Sequence, residues 1–451
     1  MKNIIKCLLL ASLACFSLSC EKYLDLKPDK SQVVPTTLDD CQALLNNVRV
    51  IGQGYPSVGE ISSDDYYLPD NDWATLALNE REPYLWLNKA EVGFSEWSSP
   101  YNCILIANQV LSVINKINPT IQQQQQWKSI KGAALLLRSF SFYTLTEIFC
   151  VPYSTSTASH ELGIPIRYTP DISEKVDRGT LQQTFDRILT DLVTAAELLP
   201  AVKPGSKPSK SVAMPVKAAA YAALARVCLI TGDFTKAYNY ADLSLKQHDV
   251  LMDFKIIDPN EYFPIPRFND EVLYEANATG YVPVSYGKVS PELYRLYNNG
   301  DLRKTVFFRD NAGNKEFQGT YNQGDIFVGF ATDEMYLIRA ECSARAGNTI
   351  LAMADLNKLR ESRWDSSYTP VTANSSEEAL KLVLLERRRE LPFRALRWSD
   401  LRRLNKDARF AVTLRRTLEG KEYTLPPNDL RYTLLIPREV LERVDIPQNS
   451  R

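Results

Sequence analysis

A chain of 451 residues is long enough for one large core or two or three ordinary ones. Its 53 Lys and Arg against 54 Asp and Glu leave a formal net charge of -1, so no basic surplus exists to neutralise phosphates and nucleic acid is excluded as a partner. A hydrophobic share of 45% argues for a packed fold, and two histidines beside 23 Tyr and 6 Trp favour binding over acid–base catalysis.

The chain opens as an export tag. Lys2 and Lys6 flank an apolar run from Ile4 to Leu18, with small residues at Ser17 and Ser19. The run is roughly a dozen residues against the ~20 that a membrane-spanning helix needs, so a permanent span is not expected. Small residues directly before Cys20 resemble the lipobox of bacterial lipoproteins, which implies removal of residues 1–19 as a signal peptide and acylation of Cys20. The alternative is an ordinary signal with an incidental cysteine. Residues 20–35 are polar and proline-punctuated and read as a tether. With Cys7 and Cys15 in the signal and Cys20 lipidated, Cys41, Cys103, Cys150, Cys228 and Cys342 stay in the mature chain. They are scattered without a CxxC, so no zinc and no cofactor is expected, though one disulfide stays open.

Thr37 caps a helix that begins near Leu38. The stretch from Gly52 to Trp97 then carries turn residues, acids and aromatics without a sustained period, the mark of a functional loop. A helix is expected from Pro100, with Ile104, Ala107, Val110, Leu111 and Ile114 on one stripe. The following segment, WKSIKGAALLLRSFSFYTLTEIF, is apolar on almost every side and reads as a buried helix. Arg138 and Glu147 lie about 180° apart around it, so each needs a partner elsewhere. Thr180 with Gln183 reads as a capping box, opening a helix that Pro200 ends. A flexible basic linker follows.

The segment VKAAAYAALARVCLITGDFTKAYNYADLSLK has Tyr221, Leu224, Ala225, Gly232, Phe234, Ala237 and Ala241 at tetratricopeptide spacings. A fainter copy places Tyr336, Ala340, Gly347 and Ala352 equivalently, too far along the chain for a regular solenoid. Between the copies the sequence suggests a short strand over Val272–Glu275 and a hairpin turning on Asn311 to Asn314. A calcium loop starting at Asp310 is rejected, because Tyr321 stands where an EF-hand needs Glu. Ser375 with Glu378 caps a late helix that breaks at Pro392, and the arginines near it are read as ion-pair partners of Glu386, Glu390 and Asp400. The fold class expected is mostly α: tetratricopeptide-like helix pairs forming a scaffold, an irregular loop-rich binding face, and a few short strands.

Several stretches in order, CEKYLDLKP, LLLRSFSFYTLTEIFCVPY, RGTLQQTFDRILTDLVTAAELLP, MYLIRAECSARAGN, LERRRELPFRALRWSDLRR and LIPREVLERVDIPQN, give the chain a resemblance to the SusD/RagB outer-membrane lipoproteins of the Bacteroidetes. The resemblance spans essentially the whole chain. It implies a single SusD-like domain over 36–451, with an N-terminal part of about 36–230 and a C-terminal part of about 231–451. It further implies a lipid-anchored protein facing the cell exterior, which captures an oligosaccharide or a peptide and hands it to a SusC-like TonB-dependent transporter.

Pyranose rings have apolar faces that flat aromatic side chains hold while hydroxyls find polar partners. Mapping the family's binding regions onto this chain points to two aromatic stretches. The first supplies Asp64, Asp65, Tyr66, Tyr67, Trp73, Tyr84 and Trp86; the second supplies Asn277, Tyr281 and Tyr286. Each aromatic has a competing role as a plug between loop and helix. Two other functions compete as well. A glycoside hydrolase would use Asp64 or Asp65 with Glu60, and needs two carboxyls about 5 to 5.5 Å apart or more. A tetratricopeptide scaffold would dock proteins alone, which interrupted repeats suit poorly.

Overall fold

The computed structural model describes residues 35–203, 205–208, 211–278 and 285–451. The export tag, Cys20, the tether up to residue 34 and Tyr281 lie outside the described residues. Helices of eight residues or more are labelled in chain order, starting with α1, Leu38–Leu45. The next are α2, Phe94–Ile114, α3, Gln124–Phe149, and α4, Leu181–Leu198. Then come α5, Lys217–Thr231, and α6, Phe234–Gln247. The set closes with α7, Thr332–Arg345, α8, Thr349–Glu361, α9, Ser376–Glu390, and α10, Arg397–Leu404. Among the described residues none of these helices is long and apolar enough to cross a membrane.

Local signals explain the helix ends. Thr37 and Asp40 cap α1 reciprocally at 3.1 and 2.9 Å, and Thr180 with Gln183 does the same for α4. Gly232 and Gly347 take φ of 82° and 83°, the left-handed turn joining α5 to α6 and α7 to α8. Ser375 Oγ accepts from the Glu378 N–H at the start of α9. One start differs from expectation. Helix α2 begins at Phe94, and Pro100 is buried inside it. The hydrogen bond Pro100 cannot donate is offset by Trp97, whose ring packs 5.0 Å from Phe149 and 5.2 Å from Tyr101.

The long helices stack in chain order from α2 to α6, and α6 then packs on α7, which in turn packs on α8 and α9. The two tetratricopeptide-like pairs are therefore neighbours in space although residues 248–331 separate them in sequence. Residues Thr37–Arg451 make one compact unit. Arg138, buried in α3, finds its partners in Asp191 at 2.8 Å and Asn108 at 2.9 Å. The five cysteines are all buried free thiols, and burial pushes Cys41 up to about 11.

The twelve strands are short and form six antiparallel pairs among the described residues. They are β1, Tyr66–Tyr67, β2, Leu162–Pro165, β3, Arg178–Thr180, β4, Val272–Tyr274, β5, Asn277–Ala278, and β6, Lys288–Val289. The remainder are β7, Phe308–Asn311, β8, Asn314–Phe317, β9, Ile326–Phe327, β10, Phe330–Ala331, β11, Leu414–Leu418, and β12, Lys421–Leu425. The β7–β8 pair is the expected hairpin, with Asn311 opposite Asn314 and positive φ at Ala312 and Gly313, a plain two-residue turn. The main core lies among the helices. A second apolar cluster, including Ile61, Tyr66, Tyr84, Phe307 and Phe393, lies under the strands and the former irregular stretch. That stretch is not wholly irregular: it holds helical turns at Val58–Ile61, Asp70–Thr75 and Leu78–Tyr84.

Candidate ligand-binding site

The two aromatic stretches meet at one small sheet. Strand β1 pairs with β6, placing Tyr66 opposite Val289 and Tyr67 opposite Lys288, and the Ser290 N–H donates to the Asp65 carbonyl at 2.9 Å. Side chains alternate across a strand, so Tyr66 goes into the second core while Tyr67 faces out. Beside Tyr67 opens a cavity of about 600 Å³, to which Asp64, Ser290, Glu292, Thr413 and Arg416 contribute. Residues 64–67, Tyr84, 290–292 and 412–417, distant in sequence, thus share one surface depression. The Tyr67 hydroxyl donates to Asn314 Oδ1 at 2.9 Å, and Lys288 pairs with Glu316 at 2.8 Å. Both contacts fasten the β7–β8 hairpin to the β1–β6 pair.

Asp64 is held bidentately by Arg397 at 2.6 and 2.9 Å. Burial works to raise its carboxyl, but Arg397 and Arg388 beside it win and hold it well below the usual carboxylate range. It therefore presents an ionised, fixed acceptor to the cavity. Arg416 has a different setting. Its guanidinium lies 3.7 Å from the centre of the Tyr84 ring, 4.5 Å from Trp86 and 5.6 Å from Tyr66. It donates to the carbonyls of Ile61, Ser63 and Tyr84. Aromatic faces and carbonyls thus do the work of a carboxylate partner. The sequence reading missed Arg416. The signal available was β11 itself, where Leu414, Arg416 and Leu418 share the buried face while Arg415 and Thr417 face out.

Several of the expected site residues are buried, and two of them, Tyr66 and Tyr84, line the cavity from beneath its rim. Tyr66, Tyr84 and Trp86 are buried beneath Arg416 and the strands. Their polar atoms are spent inside the protein: Tyr66 donates to the Ile61 carbonyl, Tyr84 accepts from the Leu68 N–H, and Trp86 donates to the Ser62 carbonyl. Asp65 is fully buried, accepting from the Phe393 N–H at 2.9 Å and from Arg388. Asn277 is buried in β5, paired with Phe327. Tyr67 and Tyr286 remain exposed, and Trp73 is half-buried against the second core with Arg81 over its ring at 5.1 Å. Neither Trp73 nor Tyr286 is brought into the cavity lining.

The Glu60 carboxyl of the hydrolase reading is held inside the protein, away from the cavity. Glu60 is fully buried and accepts from Ser63 and from the Ala395 N–H, and burial followed by the neighbouring Asp65 pushes its carboxyl well up. A metal is also poorly served. Carboxylate oxygens of Glu271, Asp333 and Glu390 lie within 4.8 Å of one another, but Arg363, Arg303, Arg394 and Tyr321 already bond them. Arginines neutralise this cluster, leaving a cation no vacant ligand.

Comparison with known proteins places this architecture. A family model described as starch-binding associating with outer membrane matches residues 22–229, and the SusD family model matches residues 302–432. SusD-like protein P2 of Formosa agariphila is 25% identical over 377 residues, covering 68% of this chain and 71% of that protein. A SusD superfamily protein from Bacteroides thetaiotaomicron superposes with a TM-score of 0.75 at 22% identity, covering 92% of this chain and 100% of the other. A SusD-like carbohydrate binding protein from Bacteroides vulgatus gives 0.68 at 20% identity over 90% and 96% of the two chains. These solved structures share the fold.

Proposed function

The chain belongs to the SusD/RagB family, and from that premise we propose that it is an outer-membrane lipoprotein that captures a nutrient at the cell exterior and delivers it to a SusC-like TonB-dependent transporter. Oligosaccharide is the favoured cargo and peptide the second, bound without catalysis. The observation that supports the reading is the cavity beside Tyr67, where Tyr66 and Tyr84 of the first aromatic stretch, residues 290–292 and strand β11 converge. Tyr67 offers a ring for stacking, Asp64 a fixed carboxylate for sugar hydroxyls, and Ser290 and Thr413 small polar groups at the rim. Trp73 and Tyr286 are further contacts for a cargo that extends past the cavity. Cys20 is the proposed lipid attachment, with residues 21–35 as the strap that keeps the protein beside its transporter.

The test is a single array of glycans and peptides probed with the protein beginning after Cys20. Selective binding of one oligosaccharide class is the expected result; a protein that binds nothing on the array but co-purifies with another soluble protein would favour a docking scaffold. For the partner, a β-barrel of transporter size is expected to co-purify from detergent-solubilised outer membrane.

A further inference from the structure

A second surface depression, of about 470 Å³, lies where the loop between β2 and β3 passes over α4, and shares no lining residue with the cavity beside Tyr67. From α4 it takes Gln183, Asp186, Arg187 and Thr190, positions three or four apart that fall on one helix face. From the loop it takes Asp177 and Tyr168, a residue 52% exposed.

What sets Tyr168 apart from an ordinary surface tyrosine is the machinery under it. The buried Arg138 reaches two ways, donating to Asp191 at 2.8 Å and to Asn108 at 2.9 Å. Asn108 in turn donates to the carbonyls of Arg167 at 3.0 Å and Thr169 at 3.2 Å, gripping the backbone on both sides of Tyr168. Asp191 pairs with Arg187, whose guanidinium stacks 5.0 Å from the centre of the Tyr168 ring. One interior arginine therefore fixes both the backbone that carries the ring and the cation that backs it. An interior ion network that immobilises an exposed aromatic ring removes the ordering cost a ligand would otherwise meet.

We infer that Tyr168 is the platform of a second carbohydrate site, on which a pyranose ring stacks while Asp177, Asp186, Gln183 and Thr190 meet its hydroxyls. A flat ring flanked by carboxylate, amide and hydroxyl groups matches a sugar's apolar face and polar edge. The inference rests on the carbohydrate reading above, and adds that a long glycan is held at two separate points.

The experiment is native electrophoresis of the protein beginning after Cys20 through gels cast with soluble starch, xylan, laminarin or pectin. Wild type, Tyr168→Ala, Tyr67→Ala and the double variant are compared, with thermal melts to confirm that the exposed Tyr168 is dispensable for folding. The expected result is retardation of wild type by one polysaccharide, a several-fold weaker effect in each single variant and loss in the double. If Tyr168→Ala migrates as wild type and the double as Tyr67→Ala, the second site is overturned and the proposed function stands. If Tyr168→Ala abolishes retardation while Tyr67→Ala keeps it, the platform stands and the cavity reading fails. No retardation of wild type in any gel overturns both.

Discussion

Adjacent residues can have opposite fates, as Tyr66 and Tyr67 do. Tyr66 is buried in the second core with Arg416 against its ring, while Tyr67 is exposed at the cavity rim, because successive strand side chains point to opposite faces. Tyr67→Ala is expected to weaken cargo affinity roughly tenfold, the factor that ~1.4 kcal/mol of lost stacking carries, while the urea midpoint moves little. Calorimetry with the cargo found on the array checks it, and unchanged affinity would refute the assignment. Charge is governed as locally as exposure. Burial works to raise the Glu386 carboxyl, yet Arg303, Arg360 and Arg389 hold it at about 2, below its ordinary 4.5. A carboxylate lowered in the folded state contributes stability that is fully present above 4.5 and is lost as pH falls toward 2. Glu386→Gln is therefore expected to be less stable at neutral pH and to show a shallower acid dependence across that window, read by urea unfolding at a series of pH values.

Helices and their ends were largely legible because capping and turning are decided within a few residues. Thr180→Ala removes the acceptor for the Gln183 N–H at the start of α4, and is expected to cost about 1 kcal/mol, measured as a shift in the denaturant midpoint. The same locality misled at α2. Pro100 reads as a helix start in isolation, but the helix is extended back to Phe94 by the burial of Trp97 against α3. The short strands were the least legible elements. Strand β1 has two residues, and its partner β6 is far along the chain; nothing within either segment specifies that pairing. Arg416 was invisible for a related reason, since only the alternation of β11 marks it as inward.

For the molecule as a whole, buried arginines fasten distant segments together. Arg303 is fully buried and bonds Asp301, Glu386 and Glu390, while Arg363 joins Glu390 to Glu271. Arg303→Met leaves three acids facing an apolar side chain, and is expected to destabilise the fold by about 3 to 5 kcal/mol in urea unfolding. Cys20→Ala tests the proposed anchor at this scale: the variant is expected in the soluble fraction with cargo binding intact, and a variant that stays with membranes lacking the transporter would refute the lipid assignment. The order of helices, their caps, the glycine turns and the paired repeats could be read from residues alone, because each depends on neighbours within about four positions. Which aromatics face solvent, which arginines meet which acids, and where a cavity opens depended on contacts between segments hundreds of residues apart, such as Arg416 over Tyr84 and Arg388 on Asp65. Burial is a property of the assembled packing, and no local pattern encodes the partner that will cover a given ring.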